Sequence, residues 1–147
     1  MKKLLLMFAA LAATGYASAQ TLPAAKVPAT VTAAFAQKYP AVQEVKWEKE
    51  NGNYEAGYTL TGTENSAVLD ASGNILETET AIPQAQLPTQ AQQYLAKNYA
   101  HQKITETAKI TAASGKVTYE AEVNGKDVLF DSSGKFMKKS QEEDDED

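Results

Sequence analysis

One pattern is written twice in this chain, and a duplicated pattern restricts the fold more than any single motif in it. The first copy opens at Val27-Pro28, runs through an apolar stretch to Lys38-Tyr39, and continues through Trp47, Tyr54-Glu55-Ala56 and Asp70-Ala71-Ser72-Gly73. The second opens at Leu87-Pro88, runs to Asn98-Tyr99, and continues through Tyr119-Glu120-Ala121 and Asp131-Ser132-Ser133-Gly134. The offset is 60 residues at the prolines, 65 at Tyr-Glu-Ala and 61 at Asp-x-x-Gly. An offset that drifts only by a few residues, in loops, is what two copies of one supersecondary unit leave behind.

Each copy reads as a helix followed by strands. Pro28 suits the first turn of a helix, where its missing N–H has no intrahelical partner to lose. Val31, Ala34, Phe35 and Tyr39 then fall on one helical face, and Pro40 stops the helix. Pro88, Ala91, Tyr94, Leu95 and Tyr99 repeat this arrangement. Downstream the period changes to two. Val45 and Trp47 alternate with Glu44, Lys46 and Glu48, Asn51-Gly52 marks a tight turn, and Tyr54, Ala56, Tyr58 and Leu60 alternate again. Strands are expected over 66–70 and 74–80, and in the second copy over 105–111, 117–123, 126–131 and 135–139, with turns at Ser114-Gly115 and Asn124-Gly125. Residues 21–26 read as a flexible lead-in. The expected class is α+β: two tandem helix-plus-antiparallel-meander repeats, 27–82 and 87–139, with the helices packed on one face of the sheet.

The ends carry separate signals. Lys2 and Lys3, the apolar run 4–13 and Ala17-Ser18-Ala19 predict a signal peptide over 1–19, cleaved before Gln20. The apolar run is too short to cross a bilayer, which takes about 20 helical residues, so no membrane span is expected after cleavage. The expected location is the periplasm or outside a bacterial cell. A folded body over 20–140 is followed by a solvated acidic tail, 141–147, whose like charges cannot bury anything. Removal of Lys2 and Lys3 shifts the formal charge from −5 to −7. With that charge and no arginine, nucleic acid is not an expected partner. The chain has no cysteine, so an exported fold must hold by its core alone.

The pattern Val-Pro, Phe35-x-x-x-Tyr39-Pro40, Val42-x-x-Val45-x-Trp47, Tyr54-Glu55-Ala56 and Leu69-Asp70-x-x-Gly73-x-Ile75 resembles the PepSY-like, or β-lactamase-inhibitor-like, domains of small exported bacterial proteins. The resemblance spans 27–139 and is strongest over 27–75. The second copy has Ala100 where the first has Pro40, and no tryptophan matching Trp47. The resemblance implies a helix and strands in tandem on one sheet whose open face binds another protein. It transfers no residue roles, because fold does not carry function.

No catalytic constellation is present. Without cysteine, and with His101 in the polar loop His101-Gln102-Lys103, there is no nucleophile held beside an oriented base. Asp70, Ser72, Asn74 and Glu77 look like a fragment of a calcium loop, but Lys135 replaces Asn74 in the second copy, and an Asp-capped turn explains both. Glu48, Glu50, Glu55, Glu120 and Glu122 alternate with apolar residues and read as a solvent-facing row without the pocket that catalysis needs. Trp47, Tyr54, Tyr58 and Tyr119 read as the inner face, against Phe35, Tyr39, Leu95 and Tyr99. No cofactor or metal is expected. The sequence thus predicts a non-enzymatic binding module for a protein or cell-envelope component, with Glu44, Lys46, Glu48, Glu55, Thr59, Thr118, Glu120 and Glu122 as the binding face. A small-ligand or cation-binding envelope protein, using the tail and the Asp-x-x-Gly turns, is the alternative. Inhibition of a peptidase or β-lactamase is the third reading.

Overall fold

Proline sets the start of both helices and tyrosine closes both. In the computed structural model, which describes residues 20–139, α1 (Ala29–Lys38) follows Pro28 and α2 (Thr89–Asn98) follows Pro88, each proline sitting just outside the helix with extended dihedrals. The N–H of Tyr39 donates to the Phe35 carbonyl and that of Tyr99 to the Leu95 carbonyl, both at 2.8 Å. The expected signal peptide, 1–19, and the acidic tail, 141–147, lie outside the described residues.

Among the described residues nine antiparallel strands accompany the two helices, an α+β composition: β1 (Gln20–Leu22), β2 (Lys46–Glu50), β3 (Asn53–Leu60), β4 (Thr63–Leu69), β5 (Ile75–Ala81), β6 (Ile104–Ala112), β7 (Val117–Val123), β8 (Lys126–Asp131) and β9 (Phe136–Lys139). The chain divides into two compact units at Glu79 and Thr80. The stretch 21–26 is not the loose lead-in its polarity implies. Gln20, Thr21 and Leu22 pair with Lys49, Glu48 and Trp47, and a 3₁₀ turn follows at Ala24–Lys26. Three residues are too few to show a period, which is why sequence alternation misses them.

In the first unit, strand partners share a face. Trp47 opposes Ala56, Ala56 opposes Ala67, and Tyr54 opposes Leu69. These residues form one core with Val27, Val31 and Phe35 from the helical side. Phe35 is the hub of the aromatics: its ring meets Trp47 and Tyr58 edge-on at 5.5 and 5.2 Å and Tyr39 at 5.0 Å. Edge-to-face pairs add to simple area burial.

The second unit builds its core from Leu87, Ala91 and Leu95 against Ala121, Val123, Val128 and Phe130. Sixty residues on, Phe35 is replaced by Leu95; sixty-one on, Leu69 is replaced by Phe130. The large ring has moved from helix to sheet, so core volume is kept while the residues change, the kind of exchange that cores tolerate best. Thr107 stands where the first unit has Trp47, and its Oγ1 donates to the Ile82 carbonyl at 2.6 Å.

The Asp turns work identically in both units. Asp70 Oδ1 accepts from the N–H groups of Ser72 and Asn74, each at 2.9 Å, and Asp131 Oδ1 from those of Ser133 and Lys135 at 2.9 and 3.0 Å. Asn74 donates its side-chain amide to Asp70 Oδ2 rather than offering an oxygen to a cation. These hydrogen bonds hold both carboxyls below the usual range.

Candidate functional site

The core clusters take the strand face that carries Trp47, Ala56 and Leu69 in the first unit and Ala121, Val123 and Phe130 in the second, so polar side chains collect on the other. In the first unit that far face is set by register: Lys46 opposes Gly57 and Gly57 opposes Ser66; Glu48 opposes Glu55 and Glu55 opposes Val68; Thr59 opposes Glu64. Glu44, Lys46 and Thr59 line one open groove of about 610 Å³ together with Ala41, Gln43, Val45 and Gly57. Gly57 makes the depression. It has ordinary strand dihedrals, and a Cβ built on it would meet nothing closer than the Lys46 carbonyl at 3.7 Å. A glycine inside a strand, where its backbone needs no special freedom, leaves room for something to approach.

Two of the expected solvent-facing residues are not solvent-facing. Glu55 and Glu120 are each only 7 % exposed. Alternation assigns them the far face, but both stand on a central strand between side chains of both neighbours: Glu48 and Val68 flank Glu55, Ala108 and Leu129 flank Glu120. Period two reports the face and says nothing about crowding from adjacent strands. Glu44, Lys46 and Thr59 are exposed, while Glu48, Thr118 and Glu122 are half-buried.

Burial has an electrostatic consequence. Glu55 is pushed up to about 7, first by desolvation and next by the charge of Glu48; the nearby Ser66 side chain and the ammonium of Lys46 pull it partway back. Lys46 Nζ pairs with Glu48 Oε1 at 2.7 Å. Glu50, at the end of the same row, is raised by partial burial and by Glu48.

The second unit fills the corresponding positions differently. Where the first unit aligns Lys46, Gly57 and Ser66, the second aligns Glu106, Glu122 and Asp127 across β6, β7 and β8. Asp127 is pushed up to about 6 by burial and then by Glu122, whose Oε1 accepts a 2.7 Å hydrogen bond from Thr105 Oγ1. Ala108, Ile110 and Leu129 are buried on this same face, so it offers no groove like that of the first unit. Glu106 and Asp127 were not among the expected face residues; Asp127 was legible only from its alignment with Ser66, which needs the β7–β8 register. Among the described residues no group of three or more His, Cys, Asp or Glu is placed to hold a metal ion. His101 is exposed.

No described helix is long and apolar enough to cross a membrane. Similar folds occur among solved structures. One, described as a "putative periplasmic" protein of Bacteroides eggerthii, superposes with a TM-score of 0.71 at 13 % identity, covering 78 % of this chain and 88 % of its own. Another, a BLIP-like protein of Bacteroides fragilis, superposes at 0.62 with 23 % identity, covering 81 % of this chain and 86 % of its own. At such identities the likeness is one of fold. No curated protein matches the chain. The family described as "Putative beta-lactamase-inhibitor-like, PepSY-like" matches residues 16–64 and 52–138. Those two matches overlap and take in nearly all of the described strands and both helices, and the chain belongs to that PepSY-like family.

Proposed function

We propose that this chain is an exported, non-enzymatic binding module of two tandem repeats, in each of which a helix covers one face and leaves the other to recognise a protein or cell-envelope component. The observation that carries the reading is the groove of the first unit, where exposed Glu44, Lys46 and Thr59 surround a floor made by Gly57. An exposed glutamate and lysine on one edge, with a backbone floor, suit an extended polar segment better than a compact apolar ligand. A periplasmic or secreted location after cleavage near Ala19 agrees with the location printed for the B. eggerthii structure. Against the cation-binding alternative, the Asp70 and Asp131 carboxylates already accept backbone N–H groups. Inhibition rests on the family description alone.

The test is affinity capture from envelope extract with residues 20–147, compared with Gly57→Val and with removal of 141–147. Capture that survives 0.5 M-range salt (roughly a 4 Å Debye length) and loss of the tail, but not the valine, supports the groove. Capture lost with the tail and retained by the valine variant overturns it.

A further inference from the structure

The far face of the first unit holds an arrangement that recognition alone does not require. Glu48 and Glu55 are directly opposed across β2 and β3, and the second of them is nearly sealed from water. Like charges so placed repel. On this face of β1–β4, among the described residues, Lys46 is the one cation, and it is already bonded to Glu48. Two carboxyls therefore compete for one ammonium, and that ammonium belongs to a residue lining the groove.

We propose that Glu55 is a proton-operated switch that sets where the Lys46 ammonium points, and with it the charge of the groove wall. With Glu55 neutral, Lys46 is satisfied by Glu48 and the two charges cancel. When Glu55 loses its proton, its carboxylate draws the same ammonium across the β2–β3 pair and the row gains one negative charge. The surroundings favour two states over a gradual response. From β2 the charged groups are Lys46, Glu48 and Glu50; from β4 Glu55 meets Ser66 and Val68, with Glu64 farther along; β1 presents only Thr21, opposite Glu48; on β3 itself Asn53, Gly57 and Thr59 carry no charge. β5, beyond β4 in strand order, carries Glu77 and Glu79. Ser66 is fully buried beside Glu55, so water is kept from the Glu55 end of the exchange while Lys46 stays in reach of solvent. The raised position of Glu55, about 7, puts the transition near neutrality.

The switch stands or falls on the chain's own groups, whatever the groove binds. It is tested by carbon-detected NMR titration of the side-chain carboxyls and of Lys46 in residues 20–147, from about pH 4 to 9, a range bracketing ordinary carboxyl and raised values. Glu55 should show a midpoint near 7, and the Lys46 side-chain chemical shifts should report that same Glu55 event. Glu48→Gln should lower the Glu55 midpoint by roughly one pH unit, since it removes the opposed charge. Glu55→Gln, the mimic of the protonated state, should leave Lys46 insensitive to pH across the same range. A Glu55 midpoint at an ordinary carboxyl value, or a Lys46 signal that still titrates near 7 in Glu55→Gln, overturns the proposal. Amide spectra confirm that each variant is folded; if Glu48→Gln is not, the Glu55→Gln comparison decides alone.

Discussion

Thr30 Oγ1 donates to the carbonyl of Ala71 at 3.1 Å, fastening the first turn of α1 to the Asp turn forty-one residues later. The approach is close because Gly73 has no side chain. A Cβ there would lie 2.8 Å from the Thr30 carbonyl oxygen and 3.0 Å from Ala34 Cβ, and φ is +86°. At Gly134 the corresponding obstacles are Pro88 Cβ at 2.7 Å and the Ala91 nitrogen at 2.8 Å. Gly115 has nearly the same φ, +87°, with nothing within 4 Å. Gly115→Ala should therefore cost only the left-handed penalty of about 1–2 kcal/mol. Gly73→Ala and Gly134→Ala add a backbone collision and should cost roughly 3 kcal/mol or more. Urea unfolding of the three variants separates the contributions; equal losses would mean that the turns do not press on the helices.

The exchange of ring and aliphatic chain between the two cores can be reproduced within one of them. Phe35→Leu should destabilise the first unit by about 1–3 kcal/mol through lost burial and ring contacts. Leu69→Phe alone should cost roughly 1–3 kcal/mol by overpacking. The double variant should lose less than the two singles together, because each change makes room for the other. A double-mutant cycle with no coupling would show that the two sites relax independently.

Stability should fall as pH rises from mildly acid to neutral. Glu55 has a folded value near 7 against an ordinary 4.5, and Asp127 one near 6 against 3.8. A raised acid favours the fold fully below its unfolded value, and that advantage is lost as pH climbs through the folded one. For Glu55 the loss between pH 4.5 and 7 is at most about 3 kcal/mol. Asp70 and Asp131 act in the opposite sense: their stabilisation is present above 3.8 and disappears as pH falls through their lowered values. Thermal unfolding should show a higher midpoint near pH 5 than near pH 8, and Glu55→Gln should flatten the difference. A rise in midpoint from pH 5 to pH 8 would contradict the burial of these carboxyls.

Filling the groove should spare the fold. The Cβ of Gly57→Val meets an ordinary contact at 3.7 Å, its two methyls point toward the groove, and a β-branched residue suits a strand. Unfolding free energy should change by no more than about 1 kcal/mol. A large loss would mean that Gly57 serves packing and not access.

Much of the fold was legible because its signals are local. Pro28, Tyr39 and the 3.6-residue spacing of Val31 and Phe35 define α1 with no help from the rest of the chain. Asp70 and Asp131 define their turns through bonds reaching only four residues. β1 was missed because it depends on partners at Trp47, Glu48 and Lys49, which no property of Gln20–Leu22 announces. The far face was half legible. Alternation distinguishes Glu55 from Tyr54, but its burial comes from Glu48 and Val68 on other strands, and its neighbours across the sheet follow from register. The same holds for Asp127, which enters the picture only when Glu122 is seen opposite it.

The glycine and serine opposed on β3 and β4, set beside the glutamate and aspartate opposed on β7 and β8, have a consequence for how such a chain changes over time. The helix-side core answers to volume and accepts only compensated trades, whereas at the far-side positions of Lys46, Gly57 and Ser66 the two units differ in charge as well as size. One scaffold can therefore hold its shape while each half acquires a separate surface vocabulary, a notch in one and a line of acids in the other. The groove of the first half has no counterpart in the second, so the two far faces would meet a partner with different chemistry.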